Sequence, residues 1–152
     1  MPLRRHLIAL ALLFLALPAS ALETFTTSEL TVLTAGGPHK FRIELALSDG
    51  QMEQGLMFRR SLAPDAGMLF DFKRPVPVTM WMKNTLIPLD MLFLDAGGRV
   101  IDIHERAVPQ SLDQIAAKAP ARYVIELNGG TAARLGIRPG DRVLFPIFGN
   151  AS

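Results

Sequence analysis

The string "WMKNTLIPLD" at positions 81–90 gathers a Trp, a Lys, an Asn, a Thr and an Asp. Trp81 offers a flat apolar wall, with Lys83, Asn84 and Thr85 as hydrogen-bonding groups beside it. Concave ligand sites commonly combine an aromatic wall with a few polar groups. The same residues also suit a turn: Asn and Asp side chains satisfy nearby backbone N–H groups, and Pro88 fixes φ. Asp90 is read first as such a structural acceptor, with Lys83 or Arg59 as the alternative partner of its carboxylate.

A second set lies in "RVIDIHER". Asp102 and His104 share strand parity, so the carboxylate could orient the imidazole as a general base. Glu105 ends the opposite, apolar face; if buried it requires a cation such as Arg59 or Arg122. With Lys83 nearby, Asp102, His104 and Glu105 would suit a hydrolase or transferase. The stronger reading is a solvated strand face of mixed charge. A third set, Met80, Met82, Trp81 and His104, has the soft donors that Cu(I) prefers. Alternation in a strand over 76–83 puts Met80 and Met82 on the core face with Val76 and Val78, and Trp81 opposite. Periplasmic Cu(I) binding is therefore only a remote alternative.

Catalytic signatures are lacking. There is no G-x-S-x-G elbow, no H-E-x-x-H helix and no phosphate-cradling loop. The chain has no Cys, and its three His are scattered, with His6 near the start. No catalytic set, metal site or cofactor is assigned, and the chain reads as a binding module more than an enzyme.

These side chains need a frame, and the chain divides first into leader and domain. Arg4 and Arg5 precede an apolar run, Leu7 to Leu17, then Pro18 and Ala19-Ser20-Ala21. A positive start, a short apolar core and a small-residue ending predict a secretory signal peptide over 1–21, cleaved near Ala21. The run is shorter than the ~20 residues that span a bilayer. Residues 22–152 are expected to form one β-rich domain, periplasmic or secreted, with no stable membrane insertion once the leader is gone. Of the 16 Lys and Arg in the chain, Arg4 and Arg5 belong to the leader, and the remaining 14 balance the 14 Asp and Glu. That balance argues against nucleic acid as a partner. A small molecule, a glycan or another protein is expected instead. Without Cys, stability must come from packing alone.

Leu30–Leu33 predicts a short strand, followed by a Gly-Gly turn. In "KFRIELALS", Phe41, Ile43, Leu45 and Leu47 alternate with Lys40, Arg42 and Glu44, the pattern of a half-buried strand. Ser48 or Asp49 should cap a short helix, with Met52 and Leu56 inward and Arg59 and Arg60 in its last turn. "MLFDF" predicts a buried strand, and Val76–Lys83 the next. "MLFLD" and "RVIDIHER" flank Ala96-Gly97-Gly98 as a hairpin. Residues 109–120 predict a long connection with one helical turn around Leu112–Ile115. "RYVIEL" is a strand, Thr131–Leu135 a helix stopped by Gly136, and "RPGDRVLF" a turn and a final strand. The expected architecture is α+β and β-rich: a compact, partly closed, antiparallel or mixed barrel-like domain with two short helices.

Four blocks carry a family resemblance: "QGLMFRRSLAPDAGMLFDF", "MWMKNTLIPLDMLFLD", "GRVIDIHERAVP" and "ARYVIELNGGTAARLGIRPGDRV". Together, over about Leu30 to Leu144, they resemble the family called domain of unknown function 192. The resemblance implies a small, β-rich, often exported domain. It supplies no reaction and no catalytic residues.

Overall fold

The computed structural model describes residues 21–151. The expected signal peptide, 1–21, therefore lies almost wholly outside the described residues. Nine strands follow: β1 (Thr26–Thr34), β2 (Gly37–Ala46), β3 (Ala66–Val76), β4 (Thr79–Met80), β5 (Leu89–Leu94), β6 (Val100–Ala107), β7 (Ile115–Ala116), β8 (Ala121–Asn128) and β9 (Arg142–Leu144). Two short helices, α1 (Asp49–Gln54) and α2 (Thr131–Leu135), and a 3-10 turn over Pro146–Phe148 complete the domain.

Seven strands form one sheet in the order β6-β5-β8-β3-β2-β1-β9, all neighbours antiparallel except β2 and β3. The sheet curls until its ends meet. The Val100 N–H donates to Asp141 O at 2.9 Å, and the Val143 N–H donates to Gly98 O at 2.8 Å. This contact closes one end of the barrel and hides strand edges that would otherwise stay unpaired. The expected partly closed, mixed barrel-like α+β domain is the fold observed.

Every strand of the large sheet contributes to an enclosed core that includes Val32, Phe41, Ile43, Leu69, Leu92, Ile125 and Val143. A second core lies on the other face, where Leu56, Met68, Phe70, Val78, Met82 and Met91 pack beneath α1 and the long connections. Strand β5 is buried at all six positions because both cores claim it. Met52, Met68, Met80, Met82 and Met91 all belong to this second core, and the enclosed core holds no Met. A sheet covered by irregular loops leaves irregular gaps, which flexible thioether side chains fill well.

Three local expectations are corrected. Ser48 caps α1 with a full capping box to Gln51, but the helix stops at Gln54 and Gly55, so Arg59 and Arg60 lie beyond it. The strand expected over 76–83 is interrupted: β3 ends at Val76, and only Thr79–Met80 pairs again, with β7. No helical turn forms at 112–115, where Ile115 enters β7 instead. Helix α2 and its Gly136 stop fall where the sequence predicts them.

Candidate functional site

Trp81 sits on one of three loops joined by backbone hydrogen bonds. The Phe58 N–H donates to Asn84 O at 2.9 Å, the Gln110 N–H to Thr85 O at 3.0 Å, and the Met82 N–H to Ser111 O at 3.0 Å. Phe58, Asn84 and Gln110 all have positive φ, at 66°, 53° and 61°. For L-residues that conformation is costly, and such strain concentrates at sites that need a fixed backbone. The joined loops present Phe58, Trp81, Leu86, Val108 and Leu112 to solvent, with Trp81 46% exposed. The Lys83 ammonium lies 5.0 Å from the centroid of the Trp81 ring, a cation–π pair. Thr85 is buried beneath, its hydroxyl donating to Lys83 O. The Asn84 amide lies 3.9 Å from the Met57 sulfur. Met82 is buried and Met80 partly so, on the side away from Trp81, as alternation predicts.

Asp90 stands apart from this surface. It is fully buried, and its carboxylate accepts three backbone N–H groups: Arg106 at 2.8 Å, Gly130 at 3.0 Å and Ala132 at 2.8 Å. Neither Lys83 nor Arg59 is its partner. Arg59 instead pairs with Glu44 at 2.9 Å beside a small cavity of about 260 Å³. Arg106 itself has φ 50° and Gly130 φ 90°. Asp90 thus ties the end of β6 to the Gly129-Gly130 turn and to the first turn of α2. Above that tie opens a cleft of about 530 Å³, whose lining includes Arg106, Arg134, Thr131 and Leu62.

The catalytic pairing does not form. Both Asp102 oxygens are taken by backbone, from Ile103 at 3.0 Å and Lys118 at 3.0 Å, and no hydrogen bond joins Asp102 to His104. A register shift in the β5–β6 pairing between Phe93 and Leu94 breaks the expected alternation: Val100 faces the enclosed core, while Asp102 lies opposite Phe93. Asp102 therefore anchors the loop before β8 and forms an ion pair with Lys118. His104 and Glu105 are exposed, so the condition under which Glu105 would require a cation is not met. Arg122 lies 4.9 Å from the Tyr123 ring centroid and 3.6 Å from Asp71.

The family model described as "Uncharacterized ACR", domain of unknown function 192, matches residues 31–145. The chain belongs to this family. A crystal structure of a candidate transcription regulator from Sinorhizobium meliloti is 49% identical, with a TM-score of 0.80, covering 82% of this chain and 98% of that one. A protein of unknown function from Novosphingobium aromaticivorans is 42% identical, with a TM-score of 0.79, covering 86% of this chain and 94% of that one. Among curated proteins, none matches.

Within this domain of unknown function 192 fold, one titratable residue escaped the sequence reading. Glu126 lies on β8 in register with Met68 on one side and Met91 on the other, and it is buried. Burial alone pushes its carboxyl up to about 8. In "ARYVIELN" its parity partners are Arg122, Val124 and Asn128, which a sequence assigns to the solvent face. The signal that could have found it is the central place of β8, where both faces are covered. Among the described residues no group of three or more His, Cys, Asp and Glu could hold a metal ion, and no helix is long and apolar enough to cross a membrane.

Proposed function

We propose that the protein is an exported binding module that docks a partner protein through the three-loop surface around Trp81. The observation that carries this reading is the gathering of Phe58, Trp81, Leu86, Val108 and Leu112, all exposed, on loops locked together by backbone hydrogen bonds. Exposed apolar patches on soluble domains mark interaction surfaces, and Trp and Phe are enriched where such surfaces bury. Small molecules need concavity, and the cavities of about 530 and 260 Å³ are lined by none of Trp81, Leu86, Val108 and Leu112. Several large apolar side chains exposed on joined loops favour a macromolecular partner over a glycan or a small ligand. Lys83, beside Trp81, favours an acidic residue at the edge of the partner's apolar contact.

The strained backbone supports the same reading. Positive φ at Phe58, Asn84 and Gln110 fixes the loop tips before any partner arrives, and preorganisation lowers the entropy cost of association. Export rests on the leader-like start, Arg4 to Ala21. The name of the Sinorhizobium relative mentions transcription regulation, but the 14 Lys and Arg beyond the leader balance the 14 Asp and Glu, so the domain carries no overall positive charge to favour nucleic acid.

The test is site-specific photocrosslinking in cells, with a photoreactive amino acid at Leu86 and, as control, at the exposed Glu29 on β1. A discrete adduct from Leu86 that Trp81→Ala abolishes and Glu29 does not give supports the reading. Equal labelling from both positions, or labelling that ignores Trp81, overturns it.

A further inference from the structure

The cleft above Asp90 is not used by that docking surface. Its cavity of about 530 Å³ is lined by Arg106 and Arg134 together with Thr131, Leu62 and Pro64. Neither guanidinium has a carboxylate partner among the described residues. An adjoining cavity of about 330 Å³ shares Pro64 and Arg134 and adds His39 and Lys40 against one acid, Asp65. Arg presents a planar fork of donors that matches carboxylate and phosphate in bidentate geometry.

The wall of this cleft is held in place. Asp90 accepts the N–H groups of Gly130 and Ala132, so these two donors are not available to an anion in the cleft. The Arg106 N–H, also given to Asp90, secures the positive-φ backbone from which the guanidinium projects. A Cβ on Gly130 would come within 3.3 Å of Arg106 Nη2, so the absence of a side chain there makes room for the guanidinium. Positive φ at Arg106 and Gly130 and the buried Asp90 carboxylate together define the backbone from which this exposed guanidinium projects.

We infer that this cleft binds a small organic anion whose carboxylate or phosphate is held by Arg106 and Arg134, with a short aliphatic part against Leu62 and Pro64. All nine strands lie within residues 26–144, so the chain lacking residues 1–21 retains the whole sheet. That protein is titrated at constant ionic strength with inorganic phosphate and, separately, with succinate, reading the amide shifts of Gly129, Gly130 and Thr131 and the heat of binding. At least one anion should give saturable shifts at these amides, and the tighter of the two identifies the headgroup. Arg134→Gln should weaken that binding about tenfold or more, the loss of one charge-assisted bidentate contact, whereas Arg74→Gln, exposed on β3, should leave it unchanged. Absence of saturable shifts with both anions overturns the inference, as does equal weakening by Arg134→Gln and Arg74→Gln. Because Arg134 is exposed and makes no ion pair among the described residues, its substitution leaves the fold intact for the comparison.

Discussion

The Asp90 carboxylate accepts the backbone N–H of Arg106 at 2.8 Å, while the Arg106 guanidinium reaches back over Gly130, whose own N–H donates to the same carboxylate. One buried acid therefore fixes the backbone of the residue that faces the cleft and of the turn over which its guanidinium lies. Its charge is met by three N–H donors, which is how a fully buried carboxylate remains tolerable.

Removing that acid should be severe. Asp90→Ala leaves three backbone donors without their acceptor, and each unsatisfied buried group costs ~1–3 kcal/mol. Urea unfolding should show a loss of at least ~3 kcal/mol. A loss below ~1 kcal/mol would mean that water replaces the carboxylate freely, and the tie described here would not be structural.

Gly130→Ala should be harmful for a different reason. With φ at 90° and Arg106 within 3.3 Å of the added methyl group, both backbone strain and crowding act. A cost of ~1–3 kcal/mol is expected from such a position. Thermal unfolding of Gly130→Ala beside Gly136→Ala, where positive φ acts with no crowding, separates the two causes. The Gly130 variant should be the less stable.

Glu126 predicts a pH dependence. Its folded carboxyl is raised to about 8, against an ordinary 4.5 in the unfolded chain. The folded state therefore holds the proton more tightly, and stability is greatest below pH ~4.5 for this group. It should fall as pH rises from ~4.5 to ~8 and level off above, by an amount of the order of a few kcal/mol. Glu126→Gln should flatten that decline in the Tm profile. A wild-type profile that rises across the same window and is unchanged by Glu126→Gln would contradict the burial argument.

Gln110→Gly should stabilise the domain. Gln110 is exposed and has φ 61°, so glycine relieves backbone strain without losing packing. A gain of up to ~1 kcal/mol is expected in chemical unfolding, reduced by the extra chain entropy of glycine. A loss above ~1 kcal/mol would show that the Gln side chain holds the loops together.

The sequence was most informative where local pattern and tertiary burial agree. Phe41 and Ile43 alternate and are buried; Thr131–Leu135 ends at Gly136 as its composition requires; Met80 and Met82 continue the core face begun by Val78. Local pattern failed where packing between distant segments decides. The strand through Lys83 breaks because backbone groups at Met82, Asn84 and Thr85 pair with loops 58 and 110–111, far away in sequence. Asp102 and His104 keep their shared parity along β6, but the Ile103 and Lys118 N–H groups hold the Asp102 carboxylate. Glu126 is not legible as a buried acid because a single strand gives no sign that a second core will cover that face. Of the residues singled out, Lys83 lies against Trp81 and Asn84 is on the same loop, whereas Asp90 is buried among backbone donors and Arg59 pairs with Glu44.

The central claim concerns the use of the Trp81 surface, and the Leu86 crosslinker in living cells measures it most directly. One discrete adduct is expected from Leu86, lost with Trp81→Ala while the variant keeps its parent's unfolding midpoint, and none from Glu29. Adducts equally abundant from Leu86 and Glu29, or unchanged by Trp81→Ala, would contradict it.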